Sequence, residues 1–440
     1  MKYKNIHFNP SQLLVLVFLF FIIIGTALLK LPFATTESIN LIDALFTATS
    51  AMTVTGLAVV DTGSMYTIFG QLVILALIQV GGLGIMSFAV LIYMALGKKI
   101  GFKQRMVVQQ ALNQTTLGGI IKLVKRLFIY SITIEIIAML FLAIRWVPEF
   151  GWKHGLYYSF FHSISAFNNA GFSIWTDSLT GYVGDPIVNL VITFLFIIGG
   201  IGFTVLADIW DKRRFKNLHL HSKLMIIGTL VVNLIAMMII FSLEYNNPST
   251  LGALSSLGDK IWAAYFQAVT PRTAGFNSLD IGSLHEGTIT LMLLLMFIGA
   301  GSASTGGGIK LTTFLVIVFS VITFLREKQR ITVGRRSIKE KVVFRSLAIL
   351  TISASFIFLA IFTLNITEPL PFLKLLFEVI SAFGTVGLSM GITAELSTIG
   401  KLIIIFVMFF GKLGPLTLAF SLARPEIEKI KYPSEDVLTG

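Results

Sequence analysis

Four short stretches of this 440-residue chain could do chemistry without any reactive side chain. They read Ser50-Ala51-Met52-Thr53-Val54-Thr55-Gly56-Leu57, Ser165-Ala166-Phe167-Asn168-Asn169-Ala170-Gly171-Phe172, Val269-Thr270-Pro271-Arg272-Thr273-Ala274-Gly275-Phe276 and Ser381-Ala382-Phe383-Gly384-Thr385-Val386-Gly387-Leu388. Glycines 56, 171, 275 and 387 lie 115, 104 and 112 residues apart, each followed by a large apolar residue. Thr385-Val386-Gly387-Leu388 reproduces the first half of the Thr-Val-Gly-Tyr-Gly loop, whose backbone carbonyls replace the hydration shell of a potassium ion. Thr53-Val54-Thr55-Gly56 is a variant of it. Glycine suits the position because a filter strand needs backbone conformations that side chains forbid, and because four chains must converge on one axis. No Asp or Glu stands in any of the four stretches, so an ion there would be held by neutral carbonyl dipoles. One such loop alone is an ordinary external turn; four in register predict a filter, with ions near the carbonyls of residues 54–55, 169–170, 273–274 and 385–386.

The rest of the sequence must place these loops at membrane depth. Hydrophobic residues make up 55% of the chain and charged ones 13%, with mean hydropathy +0.86; a soluble domain carries roughly a quarter charged residues. Eight apolar segments reach spanning length, about 12–31, 71–96, 127–147, 187–207, 223–243, 288–325, 342–364 and 398–422. The first has a basic start but is too long, and lacks the small-residue cleavage site, to read as a signal peptide. Between spans one and two, three and four, five and six, and seven and eight lie shorter apolar pieces such as Leu41–Ala51 and Leu156–Phe167. Pieces of that length are re-entrant candidates, and their partly negative helix C-termini would aim at the ion.

The expected architecture is therefore an all-α integral membrane protein of four helix–pore loop–helix repeats around a pseudo-fourfold pore. The repeats fall at 1–110, 111–217, 218–335 and 336–440. All share one orientation, which disfavours inverted-repeat transporters. Val80-Gly81-Gly82-Leu83-Gly84, Ile198-Gly199-Gly200-Ile201-Gly202, Ile298-Gly299-Ala300-Gly301 and Phe410-Gly411-Lys412-Leu413-Gly414 recur in the second helices, where glycines ordinarily serve close packing.

The net charge of +12 is concentrated in Gly97–Arg126 and Arg326–Lys341, with seven Lys/Arg each, and Asp208–Lys223, with five. That alternation is the positive-inside pattern, which puts both termini in the cytoplasm and argues for membrane lipids rather than nucleic acid as the charge's partner. The chain has no cysteine, so disulfide and thiolate chemistry are excluded.

Gly299, Gly301, Ser302, Thr305, Gly306, Gly307, Gly308 and Lys310 belong to a run with five glycines in twelve residues, too costly for a continuous helix at about 1 kcal/mol per glycine. A phosphate-binding loop is not supported, for want of a Gly-Lys-Ser/Thr ending and a preceding strand. A passive kink is the plain alternative; the favoured reading is a movable segment beneath the filter. Two cations stand at membrane depth, and such residues are functional candidates. Lys412 would set an electrostatic barrier below the filter or pair with a neighbouring subunit's backbone. Arg272 would point behind the filter and brace it, with Glu135 a partner for either cation or a helix–helix contact.

On these residues, together with Gly299–Lys310 and Gly411-Lys412-Leu413-Gly414-Pro415, the chain resembles the Trk/Ktr/HKT superfamily of potassium transporters, and most of all the bacterial Ktr membrane subunits. The resemblance implies a bacterial plasma-membrane K+ uptake subunit, with a filter of one strand per repeat and an intramembrane gate at Gly299–Lys310. It also implies a homodimer with a pore in each subunit and a cytosolic RCK-type ring (KtrA- or KtrC-like) that binds ATP or ADP. Family members with serine at the first filter glycine tend to favour sodium, so Gly56 points to potassium, with Na+ as an activator at most and no organic cofactor in this chain. The family often has arginine where Lys412 stands. The alternative on the same scaffold is a Na+- or H+-coupled K+ symporter. A membrane enzyme is disfavoured, since the six histidines (7, 154, 162, 219, 221, 285) show no metal-ligand spacing.

Overall fold

A computed structural model describes residues 10–84, 87, 120–422 and 435. The elements follow from the apolar runs and their punctuation. Helix α1, Pro10–Leu29, opens on a proline and carries no charge. After it come α2, Leu41–Thr53, a single turn α3, Thr62–Met65, and α4, Ile68–Leu83. Helix α5, Ile120–Phe167, is two helices joined at Gly151 (φ 78°, ψ 167°), just after Pro148. Then follow α6, Pro186–Ile201, and α7, Phe203–Lys212. The third stretch comprises α8, Leu220–Glu244, α9, Leu257–Val269, α10, Glu286–Phe297, and α11, Leu311–Leu325. A small antiparallel hairpin pairs Thr332 with Ser337 and Val333 with Arg336. The chain then continues through α12, Glu340–Thr367, α13, Phe372–Gly384, α14, Thr398–Leu413, and α15, Pro415–Leu422.

Three of the helices that follow the short ones start on a side chain that caps them. Thr67 accepts from Gly70 N at 3.4 Å, Asp185 from Ile187 N and Val188 N at 3.0 and 3.1 Å, and Ser397 from Gly400 N at 3.2 Å. Such caps satisfy orphan amides and fix where each helix begins.

Among the described residues, four helices are long and apolar enough to cross a bilayer: Ser11–Leu29, Ile121–Phe167, Leu220–Glu244 and Glu340–Thr367. A fifth span is formed if α6 and α7, bent by 93°, are taken together. Eight spans, seven straight and the sixth broken, were expected, and here the structure differs. The second helix of every stretch is interrupted. Helices α4, α6 and α14 all stop at a glycine with positive φ, namely Gly84 (85°), Gly202 (106°) and Gly414 (83°), three residues beyond Gly81, Gly199 and Gly411. Side-chain-bearing residues resist that conformation, so the last glycine of each pattern ends a helix where the sequence reading had only packing. The far half of the expected 71–96 span, and residues 97–119 of the first basic linker, lie almost wholly outside the described residues.

Large apolar side chains face outward along α1, α8 and α12, among them Ile23, Leu230 and Phe358 at 65, 69 and 67% exposure. An apolar exterior of this kind is what a hydrocarbon solvent requires. Inside, one cluster joins α1, α2, α4, α5 and α6, and a second joins α12, α13 and α14 to Phe46 and Leu57 of the first stretch. A third joins α8, α9 and α10 to α13. Each short helix also packs on the second helix of the preceding stretch: α5 on α4, α9 on α6, α13 on α10, and α2 on α14. The order closes on itself.

Candidate functional site

Each short helix ends in the same way. Val54 (φ 57°), Asn169 (58°), Thr273 (71°) and Thr385 (49°) are left-handed, and two residues later Gly56 (91°), Gly171 (67°), Gly275 (79°) and Gly387 (91°) are too. In three of the four the turn is closed by two backbone bonds, as in Val54 N to Ala51 O at 3.1 Å and Thr55 N to Ser50 O at 2.8 Å. The equivalent pairs are Asn169 N to Ala166 O with Ala170 N to Ser165 O, and Thr385 N to Ala382 O with Val386 N to Ser381 O. In the third stretch Pro271 has no N–H to give, and the turn is held by Arg272 N to Val269 O and Ala274 N to Thr270 O, 3.2 and 3.0 Å.

The four glycines form a closed ring. A methyl group built on Gly56 would meet Ala170 O and lie 3.0 Å from Gly171 Cα; one on Gly171 would lie 3.1 Å from Ala274 O and 2.8 Å from Gly275 Cα. One on Gly275 would meet Val386 O, and one on Gly387 would meet Thr55 O and lie 3.0 Å from Gly56 Cα. Every glycine thus abuts the carbonyl that precedes the next glycine, round to the first. All four line a single cavity of about 500 Å³, together with Leu57, Trp175, Asn277 and Leu388. Asp61 and Asp280 line the same cavity, and they cap turns through Ser64 N (2.7 Å) and Gly282 N (3.2 Å).

A hydroxyl from each short helix braces the strand after it, a feature the sequence reading did not single out. Ser50 and Ser381 accept from Gly56 N and Gly387 N at 3.1 and 3.2 Å. Ser165 and Thr270 donate to Phe172 O and Phe276 O at 2.7 and 2.5 Å. The signal was available: a serine stands six residues before three of the four glycines. Thr53 Oγ1 is engaged with Thr49 O and Thr55 Oγ1, both at 2.7 Å. Behind α2, burial pushes the Tyr66 phenol up to about 12, so it remains a donor to Thr47 Oγ1 at 3.0 Å.

Not every candidate side chain faces the ring. Asn168 turns back to donate to Gln79 Oε1 at 2.7 Å, and Glu135 accepts from Gln79 at 3.1 and 3.2 Å. Glu135 therefore pairs with neither Arg272 nor Lys412. Arg272 also turns away, its Nη1 donating to Asn233 Oδ1 of α8 at 3.3 Å. Gly384 ends α13, where an added methyl would lie 2.6 Å from Met296 O of α10. Gly81, Gly199 and Gly411 allow the carbonyls of Met52, Phe167 and Phe383, in the last turns of the short helices, to press directly on α4, α6 and α14.

Residues 299–310 lie directly against three of the left-handed residues. Thr305 Oγ1 donates to Asn169 Oδ1 at 2.8 Å, Gly307 N donates to Thr385 Oγ1 at 2.8 Å, and a methyl on Gly306 would lie 2.9 Å from Thr273 Cβ. The loop is pinned to α6 by Gly301 N to Gly200 O (2.8 Å) and Thr305 N to Gly199 O (3.2 Å), and to itself by Gly299 N to Ile309 O (2.8 Å). Gly308 (φ 68°) passes close to Gly384, and Ser302 Oγ sits 3.4 Å from Thr312 Oγ1. Two lysines grip this loop, one of them from within it. Lys310 donates to Gly306 O at 2.6 Å, and Lys412 donates to Thr305 O. The backbone that Lys412 holds is thus in its own chain.

The chain is similar over nearly its whole length to known proteins. Residues 7–430 match the TrkH family, described as a cation transport protein. The chain is 62% identical over 437 residues to the Ktr system potassium uptake protein B of Bacillus subtilis (strain 168), covering 99% of this chain and 98% of that one. With the Ktr system potassium uptake protein B of Vibrio alginolyticus it is 46% identical over 435 residues, covering 98% and 95%. Among solved structures, the crystal structure of the potassium transporter TrkH from Vibrio parahaemolyticus aligns with a TM-score of 0.74 and 22% identity, over 96% of this chain and 87% of that one. At that identity the likeness is one of fold.

Proposed function

The chain belongs to the TrkH family of cation transport proteins, and from that premise we propose that it takes up potassium through a filter formed by its four glycine-ended strands. The relatives with which it shares 62 and 46% identity are named for potassium uptake. The observation that carries the filter is the closed ring of Gly56, Gly171, Gly275 and Gly387, each against its neighbour's carbonyl. A strand of uniform conformation turns successive groups to opposite sides. In these strands φ alternates in sign through residues 54–56, 169–171, 273–275 and 385–387, a pattern that supports carbonyls facing one side, which in this reading is the common axis. Neutral carbonyls at that spacing exchange for the water around a potassium ion, and the C-terminal ends of α2, α5, α9 and α13 add their negative partial charge.

In this reading the four repeats, 1–110, 111–217, 218–335 and 336–440, surround one pore in a bacterial plasma membrane, with both termini cytoplasmic. The loop 299–310 is the gate: it closes the inner side of the ring, and the ammonium groups of Lys310 and Lys412 hold it there against entering cations. Potassium enters down its electrochemical gradient, worth about 2.3 kcal/mol per charge per 100 mV. A cytosolic RCK-type ring that binds ATP or ADP would act on the gate from the basic cytoplasmic face, in a homodimer of this chain, with sodium as an activator.

The test is rubidium or potassium flux into liposomes containing the purified chain, wild type against Gly56→Ser. The variant is expected to lose its preference for potassium over sodium; an unchanged preference would contradict the filter. Coupled transport is distinguished in the same liposomes. A pore keeps its reversal at the potassium equilibrium potential when the sodium or proton gradient is changed, whereas a symporter shifts.

A further inference from the structure

We propose that Arg272 is the centre of a binding site for a small monovalent anion such as chloride, in a cavity behind the third strand. The cavity measures about 20 Å³ and lies between α6, α8, the end of α9 and the 299–310 loop; its lining includes Phe196, Gly200, Thr229, Asn233, Arg272 and Ala300. That volume holds about one water-sized particle. Arg272 is 7% exposed and Thr229 8%, and both present an unsatisfied polar atom: among the described residues, Arg272 Nε and Thr229 Oγ1 have no hydrogen-bond partner. Buried donors left unpaired are rare and costly, so something occupies the space.

Charge and donor inventory decide what it is. A guanidinium stays protonated in a protein, and burying a charge without an opposite one is expensive. No carboxylate lines the cavity, and Arg272 enters no ion pair among the described residues. Its one side-chain bond is to the neutral amide oxygen of Asn233, which leaves that amide's N–H groups as further donors. Four of the wall carbonyls already accept: Phe196 O from Asn169 Nδ2, Gly200 O from Gly301 N, Val269 O from Arg272 N and Ala300 O from Leu311 N. A water could give one hydrogen to Thr229 Oγ1, which accepts as well as donates, but it brings no charge to offset the guanidinium. An anion needs only donors and supplies the missing negative charge. Its position next to Thr273 would also offset the arginine's field where the third strand meets the ring. The binding claim does not rest on the potassium reading, and either can fail without the other.

The experiment uses the full-length purified chain with potassium concentration and ionic strength held constant while gluconate is replaced by chloride or bromide. Crystals grown in bromide are expected to show an anomalous peak within hydrogen-bonding reach of Arg272 Nε and Thr229 Oγ1. The thermal unfolding midpoint should rise with chloride and saturate, as binding to the native state requires, and Thr229→Val should weaken the apparent chloride affinity by about tenfold. A bromide map with no peak there, or a midpoint identical in gluconate and chloride, would overturn the proposal; the wild-type map decides it even where the variant fails to fold.

Discussion

At the ring, the four glycines are constrained twice, by their sign of φ and by the neighbouring carbonyl that fills the place of a side chain. Gly387→Ala is therefore expected to cost at least about 1–2 kcal/mol from φ alone, and to abolish transport in liposomes because the new methyl meets Thr55 O. The hydroxyl braces act more gently. Ser381→Ala removes the acceptor for Gly387 N and should lower stability by about 1 kcal/mol, read as a lower unfolding midpoint, with a larger effect on ion preference than on the amount of folded protein. Residue types made these glycines legible in the sequence, since only glycine suits a left-handed strand residue pressed against backbone. The left-handed conformation of Val54, Thr273 and Thr385 was not legible, because their branched side chains disfavour it and the turn bonds at the helix ends impose it; Asn169 alone is of a type that readily adopts it. Nor could residue type tell that Asn168 and Arg272 turn away from the ring, which depends on Gln79 and Asn233 standing behind it.

Among the elements, the apolar runs placed most helices within a few residues. The exceptions were the breaks at Gly84, Gly202 and Gly414. They were hidden because a glycine that permits packing and a glycine that ends a helix look alike until the backbone is seen. Gly202→Ala is expected to strain the 93° bend between α6 and α7 and to disturb the adjoining loop, where Phe203 N donates to Ala303 O at 2.8 Å. The glycine-rich loop was legible as a break in the sixth segment, but not the fact that two lysines hold it. Lys412→Met removes the donor to Thr305 O and leaves Lys310 in place. Rubidium flux by the chain without any cytosolic partner is expected to rise several-fold in this variant; flux equal to or below wild type would show that Lys412 does not hold the gate shut.

Across the whole molecule, the closed order of packing is what turns four unequal strands into one site. Its last link joins the beginning of the chain to its end: Lys401 on α14 pairs with Asp43 on α2 at 2.7 Å, with side chains 16 and 14% exposed. Removing one charge leaves the other partly buried and unpaired. Lys401→Met should thus destabilise more than Lys401→Met combined with Asp43→Asn, a double-mutant comparison in thermal unfolding. The sequence period suggested a fourfold order, but which neighbours touch required the structure. The central claim is that backbone carbonyls of all four strands hold potassium on one axis, and crystals soaked in rubidium test it most directly. Anomalous peaks are expected on the axis between Gly56, Gly171, Gly275 and Gly387, ringed by the carbonyls of residues 54–55, 169–170, 273–274 and 385–386. Rubidium found only at the carboxylates of Asp61 and Asp280, with none within the ring, would contradict the account.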